Sequence, residues 1–307
     1  VNARLFAMPG AGPFARSVAA NVPLERGELT TRRFPDGETY VRVESDVTRR
    51  DCVVVADLAR PDEKVVPLLL VATTLRDLGA RRVGLVAPYL PYLRQDARFA
   101  AGEGITSVYF ARWISGAFDW LCTVDPHLHR HPTLAAVYSI PAEVVAAAPR
   151  IAAWIRREVA APLLVGPDEE STQWVAQVAA SAGAPFVVAA KRRHGDRDVE
   201  IDLPDLAAHR GRTPVLVDDI ASTARTMVAV ARQLTERGRL PPICIAVHGL
   251  FAGAAFDELR AAGVARIASC NTVHHPSNEI DVAPDVAAAV ERWCRGGDIV
   301  DDVKLEG

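Results

Sequence analysis

Short apolar runs alternate with segments of helical periodicity along almost the whole chain. That alternation restricts the fold to layered α/β architectures with largely parallel sheets. The runs read as strands at 3–7, 52–57, 82–87, 118–124, 162–166, 185–190, 213–218, 242–248 and 265–270. Between them, Met227, Val230, Ala231 and Leu234 follow the i, i+3, i+4, i+7 spacing of one buried helix face. With 307 residues, half of them apolar and 24% charged, the chain has material for two domains with a core each. A net charge of −3 excludes a nucleic-acid partner held by general basicity. No run approaches the roughly 20 apolar residues of a membrane span, and the N-terminus meets Pro9-Gly10 too soon for a signal peptide. The cysteines at 52, 122, 244, 270 and 294 contain no CxxC pair, and Cys52, Cys122 and Cys244 lie in apolar runs. Reduced core thiols in a cytoplasmic protein are expected.

The chain also repeats itself once. Val53-Val54-Val55-Ala56-Asp57-Leu58, a helix, Gly79-Ala80 and the strand at 83–87 return as Val215-Leu216-Val217-Asp218-Asp219-Ile220, a helix, Gly238 and the strand at 243–247. Two similar α/β domains follow, 1–145 and 146–283. A C-terminal helix and tail, 284–307, is free to pack on the first. Only the second copy has a paired-acid, hydroxyl-rich loop.

That loop reads Asp218-Asp219-Ile220-Ala221-Ser222-Thr223-Ala224-Arg225-Thr226. It follows a buried strand and opens a helix. In open α/β sheets ligands bind beyond the carboxyl ends of strands, and a helix N-terminus offers free N–H groups to phosphate. Ser222, Thr223 and Thr226 add hydroxyls, and Arg225 a forked cation. Two carboxylates beside a phosphate need an offset, which sugar hydroxyls and a Mg²⁺-bound phosphate would supply. The plainer reading is a strand end with ordinary capping groups.

The segment resembles the loop that binds ribose 5-phosphate or phosphoribosyl diphosphate in type I phosphoribosyltransferases and in the phosphoribosyl-diphosphate synthetases, the ribose-phosphate diphosphokinases. It departs from them in Arg225, which stands where glycine is usual, and in Ser222, where many members have Asp. Glycine suits such a loop through its permissive φ.

Four further segments resemble the synthetases in order and spacing. Phe34-Pro35-Asp36-Gly37-Glu38 is similar to the stretch that contacts adenine from a neighbouring subunit. Tyr89-Leu90-Pro91-Tyr92-Leu93-Arg94-Gln95-Asp96 matches a nucleotide-holding segment. Asp125-Pro126-His127-Leu128-His129-Arg130-His131 resembles one whose His helps to hold the Mg²⁺ of Mg-ATP, with Asp168 joining the same metal site. Lys191-Arg192-Arg193 matches a basic run whose Lys and second Arg close over the triphosphate.

Each segment alone also has a bland reading: a Pro-Asp-Gly turn, a polar loop, surface histidines, a solvated basic run. The alternating histidines also admit a transition-metal site, with His274 and His275 as further ligands. Together the segments imply two similar phosphoribosyltransferase-like domains, each with a mainly parallel sheet flanked by helices.

The implied activity is transfer of the β,γ-diphosphoryl group of ATP to ribose 5-phosphate. The resemblance places Phe34, Asp36, Glu38, Arg94, Gln95 and Asp96 at ATP, and Asp218, Asp219 and Ser222 to Thr226 (with Ala224 and Arg225) at ribose 5-phosphate. It places His127 and Asp168 at Mg²⁺, and Lys191 and Arg193 at the transferring group. It implies a homo-oligomer with the ATP site completed by a neighbour. A catalytically silent associated protein and a phosphoribosyltransferase are the alternatives. The family's regulation by phosphate and ADP uses a basic stretch after Arg-Gln-Asp. Here residues 97–104 carry one arginine, so insensitivity to both is expected.

Overall fold

The computed structural model describes residues 2–128, 130–194 and 198–296, and between 191 and 200 the backbone alone. It divides into two compact units, Val1–Val145 with the segment from Ala283 onward, and Ala146–Val282.

Unit 1 runs β1 Ala3–Ala7, α1 Gly12–Asn21, β2 Glu25–Arg26, β3 Leu29–Arg33, β4 Thr39–Val43, β5 Asp51–Val55, α2 Asp62–Asp77, β6 Arg82–Val86, α3 Thr106–Ala117, β7 Trp120–Val124 and β8 Ala142–Val145. Six strands form a parallel sheet in the order β2-β1-β5-β6-β7-β8, and β3 and β4 form a separate antiparallel hairpin. Every residue of β5 is buried, as expected of an apolar run in a sheet covered on both faces. Its polar member, Asp51, is held by Arg81 at 2.8 Å and Arg82 at 2.7 Å.

Unit 2 repeats the plan: α4 Ala148–Glu158, β9 Pro162–Gly166, α5 Thr172–Ala182, β10 Phe186–Val188, β11 Ala190–His194, β12 Asp198–Asp202, β13 Thr213–Ala221, α6 Arg225–Glu236, β14 Ile243–Gly249, α7 Ala255–Ala261, β15 Arg266–Cys270 and β16 Asn278–Ile280. Its parallel sheet has the order β10-β9-β13-β14-β15-β16, with β11 and β12 as a separate hairpin. The chain then enters α8, Ala283–Cys294.

The helix after each sheet belongs to the other unit. α4 follows β8 in the chain but packs on α5 and β16, whereas α8 follows β16 but packs on α1, β7 and β8. Trp293 of α8 stacks on Trp120 of β7, centroids 5.1 Å apart and planes 1° apart. Gly84 on β6 makes the room: a Cβ there would lie 1.9 Å from the Trp120 indole.

Both sheets reverse their winding at the same place. The chain goes from β1 outward to β2, then crosses back past β1 to β5; unit 2 does the same with β9, β10 and β13. Ligand crevices open outside the carboxyl ends of strands at such switch points. The apolar runs all became strands. The two hairpins were not anticipated, because sequences such as Leu29-Thr30-Thr31-Arg32-Arg33 lack a continuous apolar signal.

Candidate active site

At the switch point of unit 2, β13 outlasts its neighbour β9. The β9 pairing ends at Leu216 opposite Val165, while pairing with β14 continues to Ala221 opposite Gly249. Asp218 and Asp219 therefore sit on a strand end supported from one side only. Asp218 Oδ1 accepts the Asp219 N–H at 3.0 Å. Burial raises the Asp218 pKa well above its ordinary value, and the negative charges of Asp219 and Asp168 raise it further.

Asp168 comes from the loop after β9. There Ser171 Oγ donates to the Asp168 carbonyl at 2.6 Å, and Gly166 is obligatory because a Cβ would stand 2.5 Å from that Oγ. The crevice thus gathers Asp168, Asp218 and Asp219. No three His, Cys, Asp or Glu side chains among the described residues converge into a metal cage.

Beyond the acids, Ser222, Thr223 and Ala224 lead into α6. The left-handed conformation of the loop falls on Ala224, at φ 52°, and not on Arg225, which is the first, exposed residue of α6. The glycine-like requirement has moved one position, and the arginine is unstrained. No side chain caps α6, so its first N–H groups face the loop without a side-chain acceptor. The loop is braced from behind: Ala252 N–H donates to the Ser222 carbonyl at 2.9 Å, and Leu250 and Phe251 donate to Ala221. His248, buried on β14 beside Ile220, bonds Thr272 Oγ1 at 2.9 Å. The threonine hydroxyl donates onward to the Val247 carbonyl at 2.6 Å, so the ring nitrogen is the donor. Nothing in the sequence singled out His248. His275 packs on the rings of Phe251 and Phe256 and bonds Ser277.

In unit 1 the 89–96 loop follows β6. Leu90 and Leu93 are buried, which leaves Arg94 exposed and Gln95 half-buried. Tyr92 adopts φ 64°, its hydroxyl donates to Asp62 at the start of α2, and its ring lies 4.9 Å from that of Phe110. Asp96 is buried and accepts from Arg130 Nη1 at 2.7 Å. Burial works to raise its pKa, but the Arg130 bond and charge hold it below the ordinary carboxylate value. The bond ties the Arg94–Gln95 loop to the loop of His127, which is half-buried. Asp125, at the head of that loop, has φ 32°, the kind of strain that collects at functional sites. His129 lies outside the described residues.

Phe34, Asp36 and Glu38 form the tip of the β3–β4 hairpin. Phe34 N–H donates to the Glu38 carbonyl at 2.8 Å, and Gly37 takes φ 96°. The hairpin root is anchored by Leu29, Val41 and Val43 against the core, while the tip is exposed. Lys191 and Arg193 lie on β11 opposite Ile201 and Val199. Their side chains lie outside the described part.

Two family models match the chain in order, the N-terminal domain of ribose phosphate pyrophosphokinase over residues 3–117 and the phosphoribosyl transferase domain over residues 135–287. The chain belongs to the ribose-phosphate pyrophosphokinase family. A ribose-phosphate pyrophosphokinase of Methanopyrus kandleri is 35% identical over 279 residues, 90% of this chain and 94% of that protein. One from Sulfurisphaera tokodaii is 32% identical over 276 residues, 89% and 92% of the two chains. The phosphoribosylpyrophosphate synthetase structure from Mycobacterium smegmatis shares the fold, with a TM-score of 0.84 at 23% identity over 97% of this chain and all of that one. In this pyrophosphokinase-family chain the His127 segment falls between the two matched spans.

Proposed function

We infer that the chain transfers the β,γ-diphosphoryl group of ATP to the anomeric hydroxyl of ribose 5-phosphate, giving 5-phosphoribosyl 1-diphosphate and AMP. The observation that carries the reading is the acid pair Asp218–Asp219 at the switch point of unit 2, within a family match that spans both units.

Asp218 and Asp219 orient the sugar hydroxyls. The 5-phosphate lies against Ser222, Thr223 and Thr226 and the uncapped start of α6. Arg94 and Gln95 hold the nucleotide, and Asp96 keeps their loop in register through Arg130. The exposed hairpin tip of Phe34, Asp36 and Glu38 serves the adenine of a neighbouring copy in a homo-oligomer. Lys191 and Arg193 of β11 stabilise the charge that develops on the transferring group. Phosphoryl-type transfer depends mainly on such positioning and neutralisation.

Mg²⁺ fits the residues present. The crevice acids are oxygen donors, and an acid whose pKa is raised by negative neighbours gains from a cation beside it. In this crevice Asp168 is the residue that would hold it, and the ion would neutralise phosphate charge. Among the described residues no helix is long and apolar enough to cross a membrane, and all five cysteines are buried and free. Both observations suit the cytoplasm.

The test is release of AMP from ATP that depends on both Mg²⁺ and ribose 5-phosphate. Lys191→Ala should lower the rate on the order of 10²–10³. A well-folded chain that releases no AMP is instead a silent associated protein.

A further inference from the structure

The switch point of unit 1 has not closed over. A cavity of ≈ 280 Å³ opens there, bounded by Met8 and Pro9 after β1 and by Ala56, Asp57 and Leu58 after β5. By strand order this is the position that Asp168 and the Asp218–Asp219 pair occupy in unit 2. The internal repeat aligns Asp57 with Asp219 and Ala56 with Asp218. The crevice thus has a counterpart of the outer acid and none of the inner one.

The remaining walls add cations. Lys64 comes from the first turns of α2, and Arg32 and Arg33 come from β3. Lys64 Nζ stands 3.5 Å from Asp57 Oδ1, and that oxygen also accepts the Ala59 N–H at 2.9 Å. Arg33 donates to the Glu63 carbonyl at 3.2 Å. The Arg32 guanidinium lies 4.6 Å from the Phe34 ring centroid and 4.4 Å from that of Tyr40. Each cation has further N–H donors beyond these contacts.

We propose that this cavity is a second ligand site, for a ribose phosphate, either the free sugar phosphate or the same group within a nucleoside 5′-monophosphate. Three cations against Asp57 and Glu63 favour an anion. Asp57 selects among anions: a bare phosphate gains nothing from a neighbouring carboxylate, whereas a sugar phosphate brings hydroxyl donors to it. The volume lies at the small end of ligand pockets. The choice of sugar rests on reading the unit 2 loop as a sugar-phosphate cradle; the anion site itself does not. Because β3 is one wall, a ligand that joins Lys64 to Arg33 ties α2 to the root of the hairpin whose tip carries Phe34 and Glu38. Occupancy therefore alters the apparent affinity for ATP.

Titration calorimetry on the full chain without ATP tests this, with ribose 5-phosphate, AMP and inorganic phosphate as separate probes. The wild type is expected to bind two ribose 5-phosphates per chain. Lys64→Met should retain one, and the pair Asp218→Asn with Asp219→Asn should retain the other. One site in the wild type, abolished by the unit 2 pair and untouched by Lys64→Met, overturns the proposal. A unit 2 pair that leaves both sites intact, while Lys64→Met removes one, upholds the cavity and refutes the unit 2 reading instead. AMP competition confined to the Lys64-dependent site assigns it to the nucleotide, and its absence to the free sugar phosphate. Inorganic phosphate binding there without ribose 5-phosphate overturns the sugar assignment. Hydrogen exchange needs no change in the cavity: ribose 5-phosphate should slow exchange across residues 57–68 in the unit 2 pair variant, and unchanged exchange there also overturns the proposal.

Discussion

Where β13 carries Asp218 and Asp219, the chain just past β5 carries Ala56 and Asp57. The two strands occupy the same place in sheets of the same order, and each leads into a helix along one wall of its crevice. In unit 2 the inner position is an acid whose protonation is favoured by burial and by two negative neighbours. In unit 1 it is a buried alanine, and the retained acid is matched by Lys64. The inner position separates a crevice whose buried acids repel one another from one that offers net positive charge. The frame is common to both, and the difference lies in how much unfavourable electrostatics each strand end carries for its ligand.

The comparison breaks most visibly at Asp218. Asp218→Asn should lower AMP release on the order of 10² or more, yet stabilise the ligand-free protein by about 0.5–2 kcal/mol. The sign follows from linkage. A carboxyl with a raised folded pKa makes the native state bind more protons than the unfolded one, so stability is lost as pH rises through the folded value. Thermal melts across that window should slope downward with pH in the wild type and flatten in the variant. An unchanged melting profile would place the charge of Asp218 outside the stability balance.

The converse exchange, Ala56→Asp, installs the inner acid beside Asp57. It should destabilise the protein by about 2–4 kcal/mol, since burying a second carboxylate next to a like charge is costly. Urea unfolding measures it, and a loss below 1 kcal/mol would mean that unit 1 can still accommodate the acid.

A smaller effect is expected at Asp96. Asp96→Asn keeps the shape but removes the charge paired with Arg130, loosening the Arg94–Gln95 loop. KM for ATP should rise about tenfold with kcat changed less, because a positioning loss falls mainly on binding. An equal loss in kcat at unchanged KM would assign Asp96 to the chemical step.

The smallest change is Ala224→Gly. It relieves a left-handed alanine, worth roughly 1–2 kcal/mol, against the added freedom of glycine in the unfolded chain. A net gain of up to about 1 kcal/mol with activity within threefold is expected; a loss of stability would show that the Ala224 methyl packs for a reason.

The legible part of the site was the part written in consecutive residues. The acid pair, the hydroxyl loop and the Arg94–Gln95 segment each lie in one stretch beyond an apolar strand, and a strand's carboxyl end is where such groups converge. Asp96 shows the limit. Beside Arg94 and Gln95 the sequence reads it as a nucleotide contact, and nothing local announces that its Oδ1 accepts from Arg130, 34 residues away. His248 was silent for the same reason, since its partner Thr272 comes from the loop after β15.

Apolar runs and their spacing by themselves determined the two parallel sheets and the duplication, because strand burial and strand ends are local properties of the chain. Tertiary structure alone decided that α4 completes the second unit, that Trp293 of α8 stacks on Trp120 of β7, and that the left-handed residue is Ala224. Those outcomes depend on packing between segments far apart in sequence, where no local pattern carries the free energy of the contact.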